Sequence, residues 1–364
     1  MFSWLYGGII GTRKLLYEKG VFKSVSLEVP VISIGNITVG GTGKTPLVAL
    51  AAEILAKNGE KVCILTRGYG RANPRKRVLV SDGENILAEA SEAGDEPFEL
   101  AAKLLGKAIV VADANRSAAG LWAREKFAVT AFVLDDAFQH LRIKRDLDVV
   151  TIDASNSFGN GKMLPFGILR EPLKNLKRAD AIVLTRANLV GENQIANLKL
   201  QISKTNAHCK IFAAENIIAR IMSLSDFHAQ THNSLQPIVN HKHLKVENCI
   251  AFCALGNPEN FFEQLRCEKF RLADVRKFSD HYFYKQADVH KLETEAAKRN
   301  AKFLLTTAKD AVKLRKLNFT LPCYVVESKM IFDHPAKFSN LILSVLTNKM
   351  GAALENDLTQ KYLS

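Results

Sequence analysis

The sequence predicts an α/β protein built on a doubly wound, mostly parallel sheet, with a smaller second α/β lobe and an amino-terminal helix. Three observations carry that expectation. Short apolar, β-branched runs alternate with stretches of helical periodicity. Polar residues gather just past the carboxyl ends of those runs, where open parallel sheets bind ligands. The alternation breaks in the polar, histidine-rich stretch 223–245 and resumes beyond it.

Met1–Thr12 carries no charge and contains Phe2, Trp4, Leu5, Tyr6, Ile9 and Ile10, followed by Arg13, Lys14, Lys19 and Lys23 among further apolar residues. A spanning helix needs about 20 apolar residues, so this stretch is too short to cross a bilayer. A secretory signal would place its cations before the apolar stretch and a small-residue cleavage site after it, and neither occurs. Aromatics and cations in this order suit a helix lying in a membrane surface. The competing account is a helix packed on the protein's own core.

The strands expected next are Val29–Ile34, Val62–Thr66, Ala108–Ala112, Thr130–Leu134, Val149–Ile152, Ala181–Thr185 and Lys210–Ala214. Lys44–Lys57, Pro97–Leu105 and Ser117–Lys126 are expected as helices between them. Beyond the break, Cys249–Leu255 and Phe303–Thr306 read as strands, and Pro258–Leu265 and Lys309–Leu317 as helices. The division expected is residues 1–25 as a surface helix, 26–222 as a nucleotide-binding domain, 223–346 as the smaller lobe and 347–364 as a tail.

The most informative stretch is Gly35–Pro46. A buried strand feeds a glycine-rich turn that opens a helix, aiming backbone N–H groups and a helix dipole at one point where a polyphosphate fits. This is a phosphate loop of the P-loop NTPase kind, with Thr38, Val39, Gly40, Gly41, Thr42, Gly43, Lys44 and Thr45 as the cradle. Lys44 would reach the outer phosphates and the Thr45 hydroxyl would ligate Mg²⁺, so ATP and Mg²⁺ are the expected cofactors. The standard pattern has glycine where Thr38 stands. The strand ending in Asp135 and Asp136 supplies the carboxylate such a metal needs. Adjacent strand residues point to opposite faces, so one of the two approaches the metal, and the sequence leaves open which.

The net charge of +13 favours an anionic partner, and it is patchy. Arg67–Arg77 holds five cations and no acid, and Arg170–Arg178 forms a second cluster. No recognition helix, zinc finger or RNA-binding signature accompanies them, so no nucleic-acid partner is expected. Arg116 and Arg170 are candidates for stabilising charge on a transferring phosphoryl group. Arg67, Tyr69, Arg71, Gln139, His140 and Glu171 are candidate substrate contacts. For Gln139 and His140, core hydrogen bonding is an equal account. Six scattered cysteines have neither metal-ligand nor disulfide-framework spacing, which suggests a reducing compartment. His228, His232, His241 and His243 match no metal geometry and read as a solvated loop.

Gly35–Pro46, Thr66-Arg-Gly-Tyr-Gly70, Gly94-Asp-Glu-Pro97, Asp135-Asp-Ala-Phe-Gln-His140, Leu164–Pro172, Phe278-Ser-Asp-His281 and Thr307-Ala-Lys-Asp-Ala-Val312 occur in that order. As an ordered set they resemble the tetraacyldisaccharide 4′-kinases, the lipid A 4′-kinases of Gram-negative bacteria, over nearly the whole chain. The resemblance implies ATP-dependent phosphorylation of the 4′-hydroxyl of a tetraacylated glucosamine disaccharide 1-phosphate. It also implies a monotopic enzyme on the cytoplasmic face of the inner membrane, with an acylated disaccharide phosphate lipid as its partner and no obligate protein partner. Asp95 and His281 are, by that resemblance, the unit that accepts the sugar hydroxyl proton, and which of the two takes it first stays open. The Arg67–Arg77 loop is expected to clamp the substrate's 1-phosphate. Ala137 and Ala308 stand where the family usually has glycine and glutamate. The alternative function is a membrane-attached regulatory ATPase of the deviant-loop class. Such proteins carry a lysine where this chain has Val39.

Overall fold

The structure, a computed structural model, describes residues 2–229, 244–280 and 282–347. Their strands are β1 (Val31–Asn36), β2 (Val62–Thr66), β3 (Val78–Ser81), β4 (Ala108–Ala112), β5 (Ala131–Asp135), β6 (Leu147–Asp153), β7 (Ala181–Thr185), β8 (Lys210–Ser223), β9 (Asn248–Cys253), β10 (Arg271–Lys277), β11 (Phe303–Thr307) and β12 (Cys323–Phe332). All twelve join one sheet in the order β10-β9-β11-β12-β8-β7-β6-β1-β5-β2-β4-β3. Neighbours from β4 to β8 pair in parallel, as do those from β12 to β10; β3 and the β8–β12 pair are antiparallel.

From β1 the chain steps outward to β2 and β4, returns to β5 beside β1, then crosses to β6 and β7 on the far side. The winding therefore reverses at β1, and the crevice beyond its carboxyl end is the place where such sheets bind ligands. β1, β2, β4, β5, β6 and β7 are buried along their whole length. Helices cover both faces, which is why these strands read as unbroken apolar runs. Helix Lys44–Lys57 packs Leu47, Val48, Ala51 and Leu55 with Ile32, Ile34 and Val133 on one face. Arg116–Phe127 lays Ala119 and Ala123 with Leu65, Phe132 and Leu134 on the other. Further along that second face, Leu198 and Ile202 of Glu192–Thr205 meet Val150, Ile152 and Ile182.

β3, β10, β12 and the helices Glu192–Thr205 and Gln286–Lys298 were not expected from the sequence. β10 is an edge strand carrying Arg271, Asp274, Arg276 and Lys277, so it has no apolar run to read. β8 runs nine residues past its expected end at Ala214 because its second half pairs with β12, not β7. The helix expected over Lys309–Leu317 is one turn, Ala308–Ala311, followed by a tighter turn, Val312–Leu314.

The boundary expected at residue 223 coincides with the end of β8, a strand shared by both lobes. The helix spanning 335–347 then returns Phe338, Leu341, Ile342 and Val345 to the core around Ile32 and Leu47. The lobes are thus tied by one sheet and one returning helix. Among the four clustered histidines, His228 lies with Nε2 2.8 Å from the Ala311 carbonyl oxygen; His232, His241 and His243 lie outside the described residues.

Phe2–Glu18 is helical, and Lys14 Nζ donates to Asn175 Oδ1 at 3.2 Å. Ile9, Leu15, Val21 and Phe22 nonetheless stay exposed, as does Phe166 nearby in sequence to Met163, which touches Gly7. No described helix is long and apolar enough to cross a membrane.

Phe338 stacks on Phe332 with ring centroids 4.2 Å apart and meets Phe212 edge-on at 5.4 Å. Phe338→Ala is expected to cost about 3–5 kcal/mol in urea unfolding, as deletion of a fully buried phenyl ring does. A loss below about 1 kcal/mol would mean that the returning helix is not part of the first lobe's core.

Candidate functional site

The loop after β1 is held open by side chains beneath it. Thr42 is buried; its hydroxyl accepts from Asn36 Nδ2 at 3.0 Å and lies 2.8 Å from Thr151 Oγ1. The Thr42 carbonyl accepts from Thr185 Oγ1 at 3.0 Å. On the other side, Val39 N donates to Ile168 O at 2.8 Å and Arg170 N to Ile37 O at 2.7 Å, so segment 168–170 braces the loop's first half. Gly40 and Gly43 take left-handed φ angles of 99° and 78°, and Gly43 caps the helix that begins at Lys44. Thr38 and Thr42 are inside this scaffold, whereas Val39, Gly40 and Gly41 face solvent. Backbone N–H groups and a helix start therefore converge with Lys44 and Thr45 at the winding switch point.

Asp135 and Asp136 end β5 beside that loop and meet different surroundings. Asp136 leaves the strand with φ 47° and takes a two-pronged ion pair from Arg170, Nη1–Oδ1 at 2.6 Å and Nη2–Oδ2 at 3.2 Å. Lys44 Nζ lies 3.7 Å from the same Oδ1. Burial pushes the Asp136 carboxyl up, but the Lys44 and Arg170 cations outweigh it and hold the group below its ordinary range. Asp135 accepts from Thr66 Oγ1 at 3.0 Å, and its buried Oδ1 has no hydrogen bond among the described residues. Burial, with the Glu96 and Asp136 charges adding to it, pushes Asp135 up to about 7.

An oxygen-only donor set of this kind suits a hard cation such as Mg²⁺, which binds through one or two carboxylates plus substrate phosphates. Asp135 and Thr45 could hold it, since Asp136 is already engaged by two cations. Asn36 links the pieces: its Oδ1 accepts from Arg170 Nη1 at 2.9 Å while its amide holds Thr42.

Asp95 is buried at the start of helix Asp95–Lys103, after Gly94, whose φ of 92° and approach to the Tyr69 carbonyl leave no space for a Cβ. Its Oδ2 lies 2.7 Å from Lys313 Nζ of the second lobe. Lys309 Nζ lies 3.8 Å from Glu96 and 3.4 Å from Asp280. His281, expected to pair with Asp95, lies outside the described residues.

Other expected contacts sort differently. Arg67 is exposed, its guanidinium over the Tyr69 ring at 5.1 Å and bonded to the Tyr69 hydroxyl at 3.1 Å. Arg71, expected beside it as a phosphate clamp, is instead buried. Its Nη1 and Nη2 donate to the carbonyls of Ala112 and Pro74 at 2.8 and 2.5 Å, which turns the guanidinium into the protein. Glu171, expected as a substrate contact, is also buried, its carboxylate accepting from Arg178 at 2.9 Å and Asn175 at 2.6 Å. Arg116 is buried and donates to the carbonyls of Asp135 and Asp136, so it shapes the carboxylate turn from beneath. Gln139 Nε2 donates to the Asn36 carbonyl at 2.9 Å.

Sequence reasoning missed Asn36, Thr151, Thr185 and Lys313. Asn36 lies within the Gly35–Pro46 motif and Lys313 directly follows Thr307–Val312, but nothing local marks them as partners of Thr42 and Asp95. Also missed was a polar knot between the lobes, in which Asp153 receives Arg186, Ser155 and Asn260.

A family model described as tetraacyldisaccharide-1-P 4′-kinase, LpxK, matches residues 1–347. The tetraacyldisaccharide 4′-kinase of Geobacter metallireducens is 40% identical over 309 residues, covering 85% of this chain and 86% of that protein. The one from Desulfotalea psychrophila is 36% identical over 341 residues, 94% of each. Among solved structures, LpxK from Aquifex aeolicus in complex with ATP superposes with a TM-score of 0.71 at 31% identity, over 94% of this chain and 97% of that one.

His140 yields a pH prediction. Burial, with Arg116, Arg145, Arg13 and Arg142 adding to it, pushes its imidazole down to about 3, and its buried Nε2 has no hydrogen bond among the described residues. The folded chain therefore keeps His140 neutral where the unfolded chain takes up a proton, near pH 6.5. Stability is expected to fall as pH drops below about 6.5, by about 1–2 kcal/mol on reaching pH 5. His140→Gln should lose that component, read as a smaller difference between urea midpoints at pH 6.5 and 5. Equal pH dependence in the two proteins would contradict the assignment.

Proposed function

The chain belongs to the tetraacyldisaccharide 4′-kinase family and is an ATP-dependent 4′-kinase of lipid A biosynthesis; from that premise we propose how its residues divide the reaction. Membership sets aside the regulatory-ATPase alternative. The observation that carries the proposal is the meeting of Lys44, Arg170 and two differently charged carboxylates at the mouth of the glycine-rich loop.

In this reading, residues 38–45 hold the triphosphate, with backbone N–H groups of the exposed glycines aimed at its oxygens. Lys44 and Arg170 offset charge on the phosphoryl group in flight, and Asp136 keeps both cations aligned before substrate arrives. Thr45 and Asp135 would hold Mg²⁺, which when bound neutralises charge on the phosphate oxygens. Arg116 acts one layer back, by fixing the turn that presents both aspartates.

Asp95, with His281, takes the proton of the 4′-hydroxyl as that oxygen bonds to the γ-phosphorus. The bond from that phosphorus to the β-phosphate's bridging oxygen breaks, and ADP leaves. Docking of the second lobe across this face excludes water, which would otherwise compete for the γ-phosphate. Arg67, exposed at the surface beside Tyr69, meets the acceptor's 1-phosphate. The acceptor is a tetraacylated glucosamine disaccharide 1-phosphate, and the enzyme sits monotopically on the cytoplasmic face of the inner membrane. The exposed apolar side chains of Ile9, Leu15, Val21, Phe22 and Phe166 support that attachment. The Lys14–Asn175–Glu171 contacts join the helix to the segment carrying Arg170.

Purified protein given labelled ATP and the disaccharide 1-phosphate in detergent should yield a bisphosphorylated lipid. Lys44→Ala and Asp95→Asn are each expected to lower kcat by about a hundredfold or more; wild-type turnover by either variant excludes that residue's role. Arg67→Ala should raise the KM for the lipid and leave the KM for ATP unchanged, whereas an unchanged lipid KM removes Arg67 from the acceptor site.

A further inference from the structure

The segment Thr307-Ala-Lys-Asp-Ala-Val-Lys313 has two faces with different duties. Inward, Asp310 is fully buried and accepts from Thr307 Oγ1 at 2.7 Å, Tyr284 OH at 3.0 Å and Ala254 N at 3.1 Å. These bonds pin the turn to the carboxyl end of β9 and to the ring cluster of Phe252, Phe278 and Tyr284. Outward, Lys309 and Lys313, four residues apart, reach the acidic start of helix Asp95–Lys103 in the other lobe.

The two pairs are not alike. Lys309 bridges partly exposed carboxylates at 3.4 and 3.8 Å. Lys313 lies 2.7 Å from Asp95, with side chains only 3% and 8% exposed, and its ammonium lies 5.9 Å from the centre of the Phe283 ring. A buried ammonium is costly unless a carboxylate meets it, and of the two lysines Lys313 is the more deeply buried, its side chain 3% exposed against 13% for Lys309. Placing a buried cation on this one carboxylate therefore points to a task beyond fastening. The described charges that face Asp95 from the second lobe are Lys313 and Lys309, and Lys309 is shared with Glu96 and Glu99 on the Asp95 helix. Lys309 also faces Asp280, and His281 lies outside the described residues. Burial disfavours an ionised carboxylate, and Lys313 is the closest described positive charge to Asp95.

We propose that Lys313 is a positioning residue for phosphoryl transfer, its ammonium keeping the Asp95 carboxylate ionised and oriented so that the base is armed only while the second lobe is docked. This rests on the reading of Asp95 as the proton acceptor.

The test is the pH profile of kcat/KM for the lipid acceptor in the wild type, Lys313→Met, Lys313→Arg and Asp95→Asn, with ATP binding measured on each as a check of folding. Lys313→Gln stands in if the methionine variant does not fold. Lys313→Met is expected to lose about tenfold or more at pH 7 and to regain activity as pH rises. Its acid limb should move up by about 1–3 units, the shift an adjacent opposite charge produces. Lys313→Arg should return activity to within about threefold of wild type. An acid limb that stays in place in Lys313→Met, or an arginine variant no better than the methionine one, overturns the inference while leaving Asp95 as base. Activity retained by Asp95→Asn instead defeats the underlying reading.

Discussion

Everything in the site depends on one close approach, that of the turn after β5 to the end of β1. A Cβ on Gly35 would lie 2.5 Å from the Phe138 backbone nitrogen, so a side chain there would drive the two strand ends apart. With hydrogen in its place, the carboxylate turn and the phosphate loop lie side by side, and Lys44 comes within ion-pair range of Asp136. Glycine is required here for space, whereas at Gly40 and Gly43 it is required for left-handed backbone. Both requirements serve the same end, a ring of amides and one ammonium converging where the sheet's winding reverses.

That approach also explains how two adjacent aspartates come to differ. Asp136, turned out of the strand, is surrounded by Arg170 and Lys44 and is held ionised. Asp135, still in the strand, is enclosed beside Thr66 with acidic neighbours and is pushed toward protonation near neutral pH. One residue step along a strand changes the face and the sign of the local field. A carboxylate that shares its field with cations stabilises them in place, and one left with an open oxygen is suited to accept a divalent ion.

The lobes are coupled by covalent and non-covalent routes at once. β8 belongs to both halves of the sheet, the helix at 335–347 returns to the first core, and Asp153 with Arg186 and Asn260 forms a polar knot near their junction. The second lobe is thus held to the first through shared strands as well as through side-chain contacts. The contact of Lys313 with Asp95 adds a buried ion pair between the lobes.

Much of this was legible in the chain itself. The central strands, helix Lys44–Lys57 and the glycine-rich turn are written in contiguous residues, because periodicity and turn chemistry are local properties. Lys44, Thr45 and the two aspartates could be singled out for the same reason: each sits at a strand end whose position follows from the winding rule. The sequence did not reveal β10, whose charged residues disguise it, or β12. Nor did it show that Arg71 and Glu171 spend their charge on interior partners, or that Lys313 lies against Asp95. Those outcomes join residues as far as 218 positions apart, and which cation meets which carboxylate is decided by packing distance and burial. Local sequence encodes neither, so only the folded chain could separate the charges that shape the site from those that face it.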